Sequence, residues 1–448
     1  MASVADHSVA AVRTVGSRVI PGPTRNLCLF LLLILAGCAT PRQFSQRVLP
    51  NPTDPSEYAG IRQEYLPLAA LVEEDTGQKP VSGNSVELIT EGRDKYDLLM
   101  SDVAAADSSI YIEHFRICAD NYGSQIQDSL AAKARDGLDV RVLVDKKAHT
   151  PRNLKALRLM IDEDVRTELF FKPYYVANRI VSANQRDHRK IIVIDSRIGY
   201  IGGRNIQDKY FESWKDFDIR VTGPAVADME RTIALNWDST ASEPLPVHAP
   251  MEAVTDTIPG LQRFRDKVLQ VYADAPTDTL YTTRDCYEWS LANAKCYFWI
   301  ASPYVSPPKS TIEAIEDAAR RGVDVRMMLQ GPTDVAFTSW ITEHIYRRLL
   351  KSGVKLYEWQ GTILHAKYFV MDDYLVSVGS VNLDNMSFFL NYEDAVLIYD
   401  TQLAGECAKL FEKDMLNCRE VRLEDVRRWS VFRRLRNWLF WTLSNRLA

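Results

Sequence analysis

The sequence predicts an α/β fold built from two pseudo-twofold-related domains, each a mixed, largely parallel sheet flanked by helices, with the active site at their interface. Three observations carry this. A five-residue pattern occurs twice with identical gaps: His188, Lys190, Asp195, Gly202 and Asn205, then His365, Lys367, Asp372, Gly379 and Asn382. Chance would produce one such copy in roughly one chain in ten thousand at average composition. The surroundings repeat as well. "IYIEHFRI" from Ile110 leads to "LAAKARDGLDVRVLVD", and "FWIASPYV" from Phe298 leads to "IEAIEDAARRGVDVRMML". Each is an apolar strand, a helix, a glycine and a second strand, an order that implies parallel sheets covered by helices. Finally, 448 residues with 46% hydrophobic and 25% charged content suffice for two globular domains.

Taken in order, residues 1–37 read as a targeting segment. Arg13, Arg18 and Arg25 precede "LCLFLLLILAGC", an apolar run of about ten residues, too short for a stable membrane span and suited to a signal peptide. Leu35-Ala36-Gly37-Cys38 resembles a bacterial lipoprotein cleavage box, whose cysteine becomes the lipidated first residue. A plain signal peptide or an uncleaved anchor is the alternative. Ala39 resembles the residue of lipoproteins sorted to the outer membrane, so the expected location is the envelope of a Gram-negative bacterium, facing the periplasm. Several acyl chains anchor stably where one is marginal.

Residues 38–85 are rich in Pro, Ser and charge and read as a tether with an irregular N-terminal segment. The first domain spans 86–240. Gly137 stands where a left-handed helix C-cap is expected, as Gly322 does in the second domain. The first half carries roughly eight extra residues before its motif, assigned to the loop "PYYVANRIVSANQRD". The Pro-rich "ASEPLPVHAPMEAVTDTIPG" opens a linker and connecting helix over 241–274. The second domain spans 275–420. The tail, 421–448, places Phe432, Leu435, Leu439 and Leu443 at near-helical spacing among Trp429, Trp438, Trp441 and the arginines Arg427, Arg428, Arg433, Arg434, Arg436 and Arg446. Such a helix suits a membrane interface; docking on the protein's own core is the competing fate.

Cysteines outside the targeting segment and Cys38 number five: Cys118, Cys286, Cys296, Cys407 and Cys418. Cys286 with Cys296 and Cys407 with Cys418 are the closest pairs, and buried free thiols are an equal alternative. No spacing suggests zinc, and no metal or other cofactor is expected. The net charge of −5 disfavours nucleic acid, whose binding needs basic patches to release counterions.

Strand alternation points His188 and Lys190 the same way, and likewise His365 and Lys367. By parity Asp195 and Asp372 face away and read as structural. Gly202 with Gly203, and Gly379 with Ser380, allow a close backbone approach that returns Asn205 and Asn382 beside the His-Lys pairs. Lys190, Lys367, Asn205 and Asn382 can donate to phosphate oxygens. A neutral, oriented imidazole can attack phosphorus. Orientation needs a carboxylate, and 28 residues after each motif histidine stands one, Asp216 and Glu393. Asp218 with Asp394 is the runner-up pair. In-line displacement needs a nucleophile on one side and a proton donor on the other; two facing halves supply both.

These doubled motifs resemble the phospholipase D superfamily across roughly residues 86–420. "GGRNIQDKYF", "DFDIRVTGPAV" and "LNYEDAVLIYD" are similar to bacterial cardiolipin synthases that lack transmembrane spans. The resemblance implies a metal-independent, two-step transfer of a phosphatidyl group through a phosphohistidine, with His188 as nucleophile and His365 protonating the leaving alcohol. Phospholipids and a membrane surface are the implied partners, with no obligate protein partner evident. A lipid hydrolase, or a secreted phosphodiesterase or nuclease of the same superfamily, is the alternative. His7 lies in the targeting segment and His248 in the linker, while His114, His149 and His344 lack repeat partners, and none of the five is read as catalytic. Glu113 and Tyr304, at the ends of strands expected to flank the site, read as fold support with pocket lining as the alternative, and "FFKPYY" as core or as the wall of a lipid entrance.

Overall fold

Both motif copies fold into the same hairpin. Lys190–Ile194 turns at Asp195 and Ser196 and returns as Ile198–Gly202; Tyr368–Met371 turns at Asp372 and Asp373 and returns as Leu375–Gly379. All four turn residues have φ between 51° and 54°. Two successive left-handed residues make a type I′ turn, whose twist matches the strands it joins. Aspartate enters that region more readily than most residues.

The computed structural model describes residues 58–171, 174–176, 179–182, 185–254, 261–275 and 281–445. It places both hairpins in one 15-stranded sheet. One half runs Arg166–Phe170, Asp139–Asp145, Ser109–His114, Lys190–Ile194, Ile198–Gly202, Asp218–Thr222, Val81–Ile89. The other runs Lys355–Trp359, Asp324–Gln330, Tyr297–Ser302, Tyr368–Met371, Leu375–Gly379, Glu393–Tyr399, Arg263–Asp274. The two series correspond strand for strand. They meet at the antiparallel pair Val81–Ile89 and Arg263–Asp274, where the pseudo-twofold lies. Cys418–Val421 adds an edge strand to the second half.

The sheet is mixed, but not largely parallel. Parallel pairing within it is confined to the first three strands of each series, and the other pairings are antiparallel. The strand–helix–strand pattern describes only those three strands, because a crossover helix is what joins parallel neighbours.

Two boundaries also shift. The segment 241–274 holds no connecting helix among its described residues; it ends in the 12-residue strand Arg263–Asp274, which joins the halves. The supposed tether is folded from residue 58: in the helix Leu66–Thr76, Leu68, Leu71 and Val72 are fully buried against the second half. The extra residues before the first motif carry a small antiparallel hairpin, Tyr174–Val176 with Arg179–Ser182.

Gly137 and Gly322 close the helices Asn121–Arg135 and Lys309–Arg320 with φ of 96° and 94°. Cys118, Cys286, Cys296, Cys407 and Cys418 are all free thiols, so neither candidate pair is bonded. Among the described residues no helix is long and apolar enough to cross a membrane. Residues 1–37, Cys38 and His7 lie outside the described residues.

Candidate active site

His188 and His365 each end an extended segment just before a motif strand, and the opposite half holds both segments in place. The His188 N–H donates to the Tyr392 carbonyl at 2.9 Å, and the Tyr392 N–H to the Arg186 carbonyl at 2.8 Å. On the other side, the His365 N–H donates to the Lys215 carbonyl at 2.6 Å and the Lys215 N–H to the Ile363 carbonyl at 2.8 Å. Tyr392 immediately precedes Glu393, and Lys215 immediately precedes Asp216. These bridges therefore deliver each carboxylate to the histidine of the other half.

The side chains complete the exchange. His188 Nδ1 lies 3.0 and 2.9 Å from the two Glu393 oxygens, and His365 Nδ1 lies 2.7 Å from Asp216 Oδ2. The equal spacing along the chain identified the two carboxylates but carried no sign of this crossing. With both Nδ1 atoms taken, each imidazole has Nε2 left to face a substrate. Asp218 and Asp394 do other work: Asp218 pairs with the buried Arg204, and Asp394 accepts the backbone N–H groups of Lys190 and Ser380 at 2.8 and 3.2 Å.

The two dyads differ. Glu393 also accepts from Ser380 Oγ at 2.5 Å, Ser387 Oγ at 2.7 Å and Asn391 Nδ2 at 3.1 Å. Burial alone would raise its carboxyl, but His188, Lys190 and Ser380 outweigh burial and hold it below the usual range. Asp216 accepts the Phe217 N–H at 2.9 Å, and there burial prevails over Lys367 and Arg204, so its carboxyl is raised. Gly203 is glycine for this reason: a Cβ there would stand 2.1 Å from Asp216 Oδ1. At the matching position in the second half, the side chain of Ser380 is itself a ligand of Glu393. Gly379 lets the strands close, since a Cβ would meet the Asp394 carbonyl oxygen at 2.1 Å.

Lys190 and Lys367 are buried beside their histidines. Lys190 Nζ donates to the His188 carbonyl at 2.5 Å; Lys367 Nζ donates to the His365 carbonyl and lies 2.9 Å from His365 Nδ1. Burial, opposed by Asp216 and reinforced by Lys190, lowers the Lys367 ammonium to about 7. Burial, opposed by Glu393 and reinforced by the lysines, lowers His188 to about 4, and burial with Lys367, Lys190 and His188 takes His365 well below its ordinary value. The histidines and lysines of both halves thus lie close enough to lower one another, beside the two carboxylates.

Asn205 and Asn382 are buried at the pocket. Asn205 Nδ2 already donates to Tyr210 Oη at 2.8 Å, and the Oδ1 atoms of both asparagines have no protein partner. Asp195 and Asp372 lie outside the pocket. Asp195 accepts the N–H groups of Ser108 and Ser109 at 2.8 and 3.0 Å, and Asp372 those of Lys295, Cys296 and Tyr297 at 2.7 to 2.8 Å. Each ties its turn to the start of a neighbouring strand. Gly202, with φ of 159°, packs on Asp218.

Aromatic rings wall the pocket, and composition alone gave no sign of them. Phe115 stands edge-on to His188 at 4.8 Å between centroids; Tyr210 and Trp214 lie 5.0 and 5.6 Å from His365. Tyr304, read above as fold support, also faces His365 at 6.4 Å, with its hydroxyl on Asp334. Glu113 is fully buried on Arg189 and Asn236. Among the remaining histidines, His149 is held by the Asp145 carbonyl and the Ile117 N–H, His248 by Glu230, and His344 stacks on Trp441. His114 is buried in the strand beside Lys190. Phe170 of "FFKPYY" is core, packed on Tyr392, while Phe171 is exposed.

Comparison with known proteins adds an independent line. A family model described as a cardiolipin synthase, PLD-like domain matches residues 99–237 and 289–415. The chain is 31% identical over 348 residues to the major cardiolipin synthase ClsA of Bacillus subtilis, covering 76% of this chain and 71% of that protein. It is 32% identical over 345 residues to cardiolipin synthase 2 of Staphylococcus epidermidis, covering 74% and 68%. Of solved structures, a phosphatidylserine synthase of Haemophilus influenzae superposes with a TM-score of 0.63 at 15% identity, covering 81% of this chain and 94% of that one. A polyphosphate kinase of Porphyromonas gingivalis superposes with a TM-score of 0.51, also at 15% identity, covering 86% and 54%. At such identity the structural likeness is one of fold.

Proposed function

This chain belongs to the phospholipase D-like cardiolipin synthase family, and on that premise we propose that it is a phosphatidyltransferase acting on membrane phospholipids through a phosphohistidine. The observation that carries the proposal is the crossed pair of imidazole–carboxylate dyads, whose histidines come from different halves and lie close enough to bear on each other's charge.

In the first step His188 Nε2 attacks phosphorus. The N–P bond forms as the P–O bond to the leaving glycerol breaks, and His365 gives its Nε2 proton to that oxygen. Glu393 stabilises the positive charge that grows on His188. In the second step the acceptor hydroxyl gives its proton to His365 and attacks phosphorus, the N–P bond breaks, and His188 leaves neutral. Lys190 and Lys367 balance the phosphoryl oxygens, where preorganised charge lowers the barrier. Arrival of the anion raises the histidines and lysines and so protonates His365 for its role. The tight hold on Glu393 supports His188 as nucleophile, since an ionised carboxylate is the better partner for a phosphorylated imidazole.

Incubation of the purified chain with labelled phosphatidylglycerol tests this reading. Cardiolipin and released glycerol are the expected products. Phosphatidic acid instead, from water as acceptor, would assign a hydrolase; cleavage of soluble nucleic acid faster than any lipid would overturn the proposal. We infer further that Cys38 carries lipid and holds the chain at the envelope surface. Loss of fatty-acid labelling in Cys38→Ser supports this anchor, and retention rejects it.

A further inference from the structure

The helix Val431–Asn445 has two opposite faces with different fates. One is docked on the helix Ala336–Ser352. Glu343 there accepts Arg433 Nη2 at 2.8 Å, Arg436 Nη2 at 3.1 Å and Asn437 Nδ2 at 2.8 Å, and Trp340 meets Phe440 edge-on at 4.9 Å. The other face is apolar and bare: Val431, Phe432, Leu435, Trp438 and Leu439 are 76, 85, 57, 50 and 46% exposed. At about 100° per residue these five fall in one arc of about 120°, opposite the docked side chains. Packing on the protein and facing outward are thus both true of this helix.

The exposed charges that flank the bare face on its own segment are basic: Arg427, Arg428 and Arg434 are exposed beside it. A second copy of the chain would set arginines against arginines, whereas an anionic lipid surface complements them. The placement fits as well. This helix and the one beneath it both pack on Val305–Ser306, the strand directly after Tyr304, whose ring faces His365. On the His188 side, Phe171 is 45% exposed, with Lys146 Nζ and Lys147 Nζ 5.4 and 5.1 Å from its ring. Phe171 follows Phe170, whose ring packs on Tyr392, the residue whose carbonyl accepts the His188 N–H.

We propose that the outer face of Val431–Asn445 is a membrane seat that inserts into an anionic phospholipid bilayer and turns the site mouth toward it. This rests on the phosphatidyltransferase reading in that the bilayer is then the source of substrate. An amphipathic helix with basic flanks lies in the interface with its apolar side chains among the acyl chains.

The test uses the full chain with phosphatidylglycerol vesicles whose acyl chains are brominated to quench nearby indoles. Trp438 emission should be quenched, so that Trp438→Phe removes part of the total quenching. The triple variant Phe432→Ser, Leu435→Ser, Leu439→Ser should remove the same part and slow turnover of vesicle lipid at least tenfold, with turnover of detergent-dispersed lipid unchanged. These positions are exposed, so folding is spared. Equal quenching with and without Trp438 would overturn the seat, and so would light scattering that finds a dimer dispersed by the triple variant. A chain with Trp438 quenched but inert on every lipid would leave the seat standing and reject the activity alone.

Discussion

Replacing Glu393 by glutamine keeps the side chain's shape and removes its charge. The bond from His188 Nδ1 at 2.9 Å then runs to a neutral oxygen, and the amide nitrogen faces Ser380 or Ser387, both of which donate to the carboxylate. A hydrogen bond to a charged group contributes about 1.5–3 kcal/mol, which is about 10- to 150-fold in rate at about 1.4 kcal/mol per decade. Because Glu393 serves His188, the loss falls on the step that forms the N–P bond. Asp216→Asn removes the matching charge from His365, the proton donor, and its cost should depend on how much protonation the leaving group needs. The assay is a single-turnover measurement of phosphoenzyme formation with two donors, ordinary phosphatidylglycerol and a phosphatidyl ester of p-nitrophenol. The activated ester should restore Asp216→Asn to near the parent rate and leave Glu393→Gln slow. The reverse pattern would refute the crossed assignment. Equal rescue of both would refute the division of labour between the histidines.

Three other outcomes follow from the same geometry. Lys367, lowered to about 7 by burial, should be driven above that by a bound anion; binding of vanadate at pH 7–8 should take up part of a proton, measured by calorimetry in buffers of different ionisation enthalpy, and proton release would contradict the sign. Gly203→Ala puts a Cβ 2.1 Å from Asp216 Oδ1; a displacement of about 1 Å at a catalytic group costs about 100-fold, so kcat should fall while the circular dichroism spectrum is retained. Asp372→Ala strands the Lys295, Cys296 and Tyr297 N–H groups and keeps a left-handed φ of 51°; a loss of about 2–4 kcal/mol in urea unfolding is expected, and full stability with abolished turnover would make Asp372 a participant in the chemistry.

The repeat was legible because the motif carries five residue types at fixed gaps, and such spacing survives any drift of the surrounding surface. The hairpins and the helix-ending glycines followed from local chemistry, since type I′ turns and left-handed C-caps restrict which residues fit. The sheet's directions were not legible. A strand–helix–strand pattern names parallel neighbours only where the crossover occurs, and the long return that brings Arg263–Asp274 between the halves has no local signature. Its neighbour Val81–Ile89 and the buried "LPLAALV" from Leu66 were hidden behind a Pro- and Ser-rich stretch. The carboxylates could be found by equal spacing, yet a symmetric spacing cannot say which histidine each serves. That choice is made by the backbone bridges at Tyr392 and Lys215. Phe115, Tyr210, Trp214 and Tyr304 come from different elements and share no period, so only the folded chain gathers them.

The central claim is that one phosphorus atom passes between two imidazoles from different halves. It is met most directly by trapping the intermediate in His365→Asn. A labelled phosphatidyl ester of p-nitrophenol, whose leaving group needs no proton, quenching in neutral denaturant and peptide mapping by mass spectrometry should reveal an acid-labile phosphatidyl group on His188, and none when His188→Ala is added. An adduct on any other side chain, or full transferase activity without His188, would contradict the account.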